Sequence, residues 1–107
     1  MNKVNGKLWY ANGNMFYELA CQYDSRKSFY GKAIVEIQDN NTSALYILHS
    51  YHTPVLMYDV KQNKCRIYDE KHLTATTLRH VKEFLKQQKL PCGSKAELIK
   101  MYCNNGE

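Results

Sequence analysis

Two histidines, His49 and His52, stand three residues apart in the stretch Leu48-His49-Ser50-Tyr51-His52-Thr53-Pro54. Three hydroxyl side chains share that stretch, and Pro54 is one of only two prolines in the chain. Imidazoles and hydroxyls this close together are the raw material of a general base, a metal site or a hydrogen-bonded brace. On a continuous strand an odd spacing sends two side chains to opposite faces, so His49 and His52 share a ligand only if the backbone bends between them. The Thr53-Pro54 step marks such a bend or a strand boundary. The spacing is therefore read as a corner in which Ser50, Tyr51 and Thr53 form hydrogen bonds between two strands. A third imidazole, His80, follows Thr76 by one helical turn and shares its face. A buried imidazole needs partners for both ring nitrogens, and hydroxyls from the corner can supply them. A structural polar cluster of Ser50, Tyr51, Thr53, Thr76 and His80 is the expectation.

Other chemistry finds less material. The chain has no Gly-x-Ser-x-Gly elbow, no phosphate-cradling glycine loop and no carboxylate pair in a helix or strand context. Catalysis is not expected, a cysteine–histidine pair assembled by folding being the one route left open. Cys21, Cys65, Cys92 and Cys103 are at least eleven residues apart, so no Cys-x-x-Cys pair exists. Scattered cysteines read first as free, partly buried thiols. A structural zinc is the one cofactor left open, and its ligands would come from distant segments among these four.

One helix carries a charge pattern. Arg79, Lys82, Lys86 and Lys89 fall within about 80° of one another at 100° per residue, beside the apolar stripe and apart from Glu83. Such a stripe suits contact with phosphates or with an acidic protein face, and it also suits plain solvation. The formal net charge of +5 and a pI near 9.0 favour acidic partners and argue against a nucleic-acid mimic. Nine tyrosines are many for this length. Exposed, they make contact area for a protein interface; buried, they are large strand formers.

The elements that must position these residues are strands first and helices last. At 107 residues the chain, 1–107, is expected to form one domain. It has no apolar run long enough to span a membrane and no apolar signal-peptide centre, so a cytoplasmic protein with no membrane contact is expected. Asn12-Gly13 between apolar runs suggests a hairpin, although Phe16, Leu19 and Ala20 also fit a short helix over 15–23. Residues 30–38 alternate, with Ala33, Val35 and Ile37 on one face. Ala44–Ser50, Val55–Val60 and Cys65–Tyr68 continue as short strands joined by turns. Leu78, Val81, Phe84 and Leu85 then recur at helical spacing. The predicted fold class is α+β: an antiparallel sheet of about four to five strands over 7–69, then two C-terminal helices, about 75–89 and 94–103, packed on one face. Ser94 and Glu97 form a capping-box pattern at the start of the second helix.

Three segments in this order carry a resemblance: KSFYGKA (Lys27–Ala33), SYHTPV (Ser50–Val55) and TATTLRHVKEFLKQ (Thr74–Gln87). Together they resemble a family of small proteins of unknown function that is common in phages and prophages of Gram-positive bacteria. The likeness covers Lys27 to about Gln87, and its motifs are specific in combination and weak singly. His52 stands where that family often has Asn, and Thr74 where Ser is usual. The resemblance implies a phage or prophage setting in the cytoplasm of a bacterial host, and it implies no reaction. The functional expectation is a non-enzymatic binding protein that blocks a host defence nuclease, as anti-CRISPR proteins do, with a Cas-nuclease-like effector as partner. A nucleic-acid-binding regulator using the basic helix, or a phage assembly protein, are the alternatives.

Overall fold

Alternating polarity and β-branched or aromatic residues drive the first two thirds of the chain into strands. The structure is a computed structural model and describes residues 5–103. Strands β1 (Leu8–Ala11), β2 (Asn14–Glu18), β3 (Ala33–Asp39), β4 (Ala44–Ser50), β5 (Thr53–Asp59) and β6 (Lys64–Ile67) form one antiparallel sheet in sequence order. The sheet thus has six strands, where four to five were expected. The added strand is β2, the segment whose spacing also fits a helix. Asn12 and Gly13, at φ 54° and 83°, close a two-residue turn, and β2 then pairs with β1 on one side and β3 on the other. Pairing on both sides outweighs a weak helical spacing.

The α+β class holds, with the helices shorter than the sequence suggests. Helix α1 (Ala75–Gln87) begins where the Thr74 hydroxyl accepts from the Thr77 N–H. It ends two residues before Lys89, which adopts the left-handed conformation at φ 61°. Lys89 N–H donates to the Lys86 carbonyl at 3.2 Å and Leu90 N–H to the Leu85 carbonyl at 2.9 Å. These two bonds satisfy carbonyls that the helix end leaves open. The expected helix over 94–103 is instead one α-turn, α2 (Lys95–Leu98), that widens into a π-turn over Ile99–Cys103. Ser94 and Glu97 do form the capping box. So short a segment cannot hold its own winding, and its contacts set its shape. Leu98 and Tyr102 are buried, and the Tyr102 hydroxyl donates to the Pro91 carbonyl at 2.6 Å.

The core lies between one face of the sheet and the helices. Val35, Leu48, Leu56 and Ile67 meet Val81, Phe84, Leu85 and Leu98 there. A bulge serves this packing: Leu48 faces Leu56 and His49 faces Pro54, which leaves Val55 as an extra residue. Val55 and Leu56 are consequently both buried, although they are neighbours on one strand.

The long connection between β2 and β3 is tied down by one charged residue. Glu83 of α1 is 1% exposed, and its carboxylate accepts from the backbone N–H groups of Gln22, Tyr23 and Asp24 at 3.0, 2.9 and 2.8 Å. The Gln87 amide donates to it as well, and donates also to the Ala20 carbonyl. An acceptor-only group surrounded by four donors is what burial of a carboxylate requires. Replacing Glu83 with Ala leaves three loop N–H groups without an acceptor, at roughly 1–3 kcal/mol each. Chemical denaturation of Glu83→Ala is expected to show a loss of about 3 kcal/mol or more; a loss under about 1 kcal/mol would remove the loop anchor from this account.

Candidate functional site

The corner between β4 and β5 is a two-residue turn. Ser50 pairs with Thr53, and between them Tyr51 and His52 are both left-handed, at φ 52° and 70°. Two consecutive positive φ values match the twist of a hairpin but cost an L-residue energy. The Tyr51 N–H donates to the Lys32 carbonyl at 2.9 Å and helps to hold the turn. His52 itself is exposed, and Asn tolerates this backbone region better.

From this turn only one side chain reaches inward with polarity. Ser50 Oγ lies 2.9 Å from Thr77 Oγ1 and 2.8 Å from His80 Nδ1, and all three residues are buried. The hydroxyl from the helix is Thr77, whereas the sequence pointed to Thr76. Thr76 is exposed. Both residues neighbour His80 along α1, three and four positions before it, and the sheet lies on the Thr77 side. Thr53 contributes backbone pairing, and Tyr51 contributes an exposed ring whose centroid is 5.9 Å from that of His80. The Phe29 ring meets His80 edge-on at 4.5 Å.

Burial pushes the His80 imidazole down to about 4, against the opposing pull of the Asp24 charge, so the ring is neutral near pH 7. Ser50 and His80 are as close as a nucleophile and its base, but Ser50 is 3% exposed and its oxygen is shared with Thr77. A hydroxyl enclosed in this way braces the fold and does not face a substrate. The three imidazoles do not gather. His49 Nε2 lies 2.9 Å from Glu36 Oε1 on the opposite sheet face, while His52 sits in the turn. Burial would raise the Glu36 carboxyl; hydrogen bonds from Gln38, His49 and Asn14 outweigh it and hold it below the usual range.

The basic stripe of α1 is divided. Arg79 Nη1 lies 3.0 Å from Asp24 Oδ1, so part of its charge is used internally. Lys82 and Lys86 border a hollow of about 400 Å³ between α1 and the Tyr23–Asp24 loop. Lys89 lies past the helix end, off the stripe. No disulfide joins any of the four cysteines. Cys21 is in the core, Cys65 is half-buried in β6, and Cys92 and Cys103 flank the last turn. Burial pushes the Cys65 thiol up to about 12. Among the described residues, no three His, Cys, Asp or Glu side chains come close enough to hold an ion.

A further partly apolar surface carries apolar side chains that the sequence does not single out as a site. On the sheet face away from the helices, Trp9, Phe16, Ile34, Ile47 and Met57 are only half-buried. Trp9 and Phe16 stack with centroids 5.6 Å apart and planes within 9°. The available signal was apolar residues at both parities of β3 to β5, where a polar outer face would show strict alternation.

A family model described as a family of unknown function (DUF8033) matches residues 17–100. The chain belongs to that family. No curated protein and no solved structure matches it. The DUF8033 match takes in the Ser50–Thr77–His80 brace and the Glu83 anchor and starts after Trp9 and Phe16. No helix of the described residues is long and apolar enough to cross a membrane.

Two outcomes follow from the brace and its turn. His52→Asn is expected to raise stability by about 0.5–1 kcal/mol, read from the denaturation midpoint, because it relieves an unfavourable left-handed residue. Unfolded His80 takes a proton near its ordinary value of 6.5, while the folded ring resists it down to about 4. The unfolded state therefore binds more protons in that window, and stability is complete above about pH 6.5 and declines as pH falls towards 4. In denaturation curves across that range, His80→Gln should show a shallower decline than the parent chain; parallel curves would contradict the assignment.

Proposed function

We propose that the protein acts by binding and not by catalysis, and that it blocks a host defence nuclease effector in a phage or prophage setting. The observation that carries the binding reading is the bare sheet face with Trp9, Phe16, Ile34, Ile47 and Met57 half-exposed upon it. The Glu36–His49 pair shares that face and stands between Phe16 and Ile47, so the apolar side chains form two patches around a polar centre, and apolar surface left in water marks interaction sites. Tyr10, Tyr30 and Tyr51 are also exposed, and aromatic side chains are enriched in the fully buried centres of interfaces. The enclosed Ser50 hydroxyl supports a non-catalytic role. The defence target rests on the resemblance to phage and prophage proteins. A net charge of +5 suits an acidic protein face on such an effector and not its nucleic-acid channel.

The basic helix has lost ground as the working surface, because Arg79 is paired with Asp24 and Lys89 leaves the stripe. Lys82 and Lys86 remain for a nucleic-acid regulator, which would bind DNA or RNA in a gel shift at low salt and lose binding steeply as salt rises. Reversing both lysines would abolish that binding.

The test is a cleavage assay in which host nuclease effectors are titrated with the protein, alongside measurement of direct binding. Stoichiometric inhibition of one effector is expected, and Trp9→Ala or Phe16→Ala should weaken it by about tenfold or more. A panel of effectors that are neither bound nor inhibited overturns the defence reading. Full inhibition by a variant with both aromatics replaced overturns the choice of face.

A further inference from the structure

A smaller hollow lies at the start of α1. About 170 Å³ in volume, it is walled by Arg26, Ser28, Lys32, Thr76 and Arg79 and reaches His80. Three cationic residues line it together with the aliphatic hydroxyls of Ser28 and Thr76, and no carboxylate does. Asp24 holds Arg79 in place through Nη1 from outside the hollow. The first turn of α1 forms part of the wall, and the N-terminal end of a helix carries partial positive charge.

His80 distinguishes this hollow from a chance cluster of surface cations. The residue is 1% exposed and its Nδ1 meets Ser50 Oγ, yet its Nε2 has no hydrogen-bond partner among the described residues. No fully buried side-chain nitrogen or oxygen among those residues is left without a partner, so Nε2 keeps a little open surface, and the hollow is the space that His80 lines. The brace determines what Nε2 offers. Ser50 Oγ sits between Thr77 Oγ1 and His80 Nδ1. When Thr77 donates to Ser50 and Ser50 donates to Nδ1, the single proton of the neutral ring lies on Nε2. The buried cluster then presents one oriented N–H to the hollow, which is the arrangement an anion selects.

Two exposed tyrosines stand at the rim, Tyr30 and Tyr51, and both are left-handed, at φ 53° and 52°. Strained backbone at bulky residues persists where the surroundings enforce it, often at ligand sites. Through Lys32 and Tyr51 the hollow adjoins a groove of about 300 Å³ that is lined by Trp9, Phe16 and Ile34.

We propose that this hollow binds the phosphate monoester of a nucleotide, with Arg26, Lys32 and Arg79 around the phosphate, His80 Nε2–H donating to one of its oxygens, and the base against Tyr30 or Tyr51. The site is a small-ligand site and does not depend on the identity of the protein partner proposed above. A phosphopeptide would satisfy the cations equally. The aromatic rim and its continuation to Trp9 and Phe16 favour a base, which offers a face for stacking.

The experiment is isothermal titration calorimetry of the full chain at low salt. The probes are 5′-AMP, adenosine, 5′-phosphorylated and unphosphorylated tetranucleotides, and a phosphotyrosine peptide. A phosphorylated nucleotide probe is expected to bind at least tenfold more tightly than its unphosphorylated counterpart. If 5′-AMP is the tighter of the two phosphorylated probes, the ligand is a free nucleotide; if the tetranucleotide is, it is a strand end. Arg26→Glu and Lys32→Glu should each cost at least tenfold. Both side chains are exposed and outside the core, so folding, checked by circular dichroism, should be retained. Equal affinity of both phosphorylated nucleotide probes and their unphosphorylated counterparts, tighter binding of the phosphopeptide, no binding of either phosphorylated nucleotide probe, or unchanged binding by both variants would each overturn the proposal.

Discussion

A carboxylate sealed beneath the surface holds the long β2–β3 loop to α1 in this fold. Glu83 sits on the core side of α1, and its oxygens collect three consecutive backbone N–H groups from the loop that follows β2. An acceptor group so placed is tolerable only while those donors stay in position. The loop is therefore as well determined as the helix beneath it, although it has no regular structure. Asp24 leaves that anchor and holds Arg79, and the same loop continues to Arg26, Ser28 and Phe29, which reach the hollow beside His80. Arg26, Ser28 and Tyr30 follow that attachment in the same loop, and it helps to set their place beside Arg79 and His80 on α1.

The brace under the β4–β5 turn works by the same logic on a smaller scale. Ser50 ends a strand, Thr77 and His80 lie on one helix face, and a single hydroxyl oxygen joins them. Buried polar networks of this kind give specificity of packing, because any other register of helix on sheet would leave their atoms unpaired. The turn above can then keep two left-handed residues, Tyr51 and His52, without slipping.

Much of the fold was legible in local pattern. The alternation of Ala33, Val35 and Ile37, the Asn12-Gly13 turn and the spacing of Leu78, Val81, Phe84 and Leu85 each reflect a period that one element must satisfy. The pairing of the Ser50 corner with the His80 helix was legible too, because a buried imidazole asks for hydroxyl partners; the choice between Thr76 and Thr77 was not, since both neighbour His80. β2 and the π-turn after Leu98 are set by tertiary contacts that local spacing does not contain. Glu83 was read as a charge set apart from the basic stripe. Its partners are backbone amides about sixty residues away, and backbone amides leave no mark in a sequence. The cluster of Arg26, Lys32 and Arg79 was hidden for the same reason, being drawn from a loop, a strand entrance and a helix.

The order of the strands has a consequence for the birth of the molecule. Each strand pairs with its neighbour in the chain, so the sheet can zip up from its first hairpin while the rest is still being synthesised. What it cannot do at that stage is hide the side that carries Val35, Leu48 and Leu56. The cover for that side, Val81, Phe84 and Leu85, leaves the ribosome after all six strands. A nascent chain paused before α1 would be a ribbon with an uncovered apolar side, and a natural client for chaperones until α1 arrives.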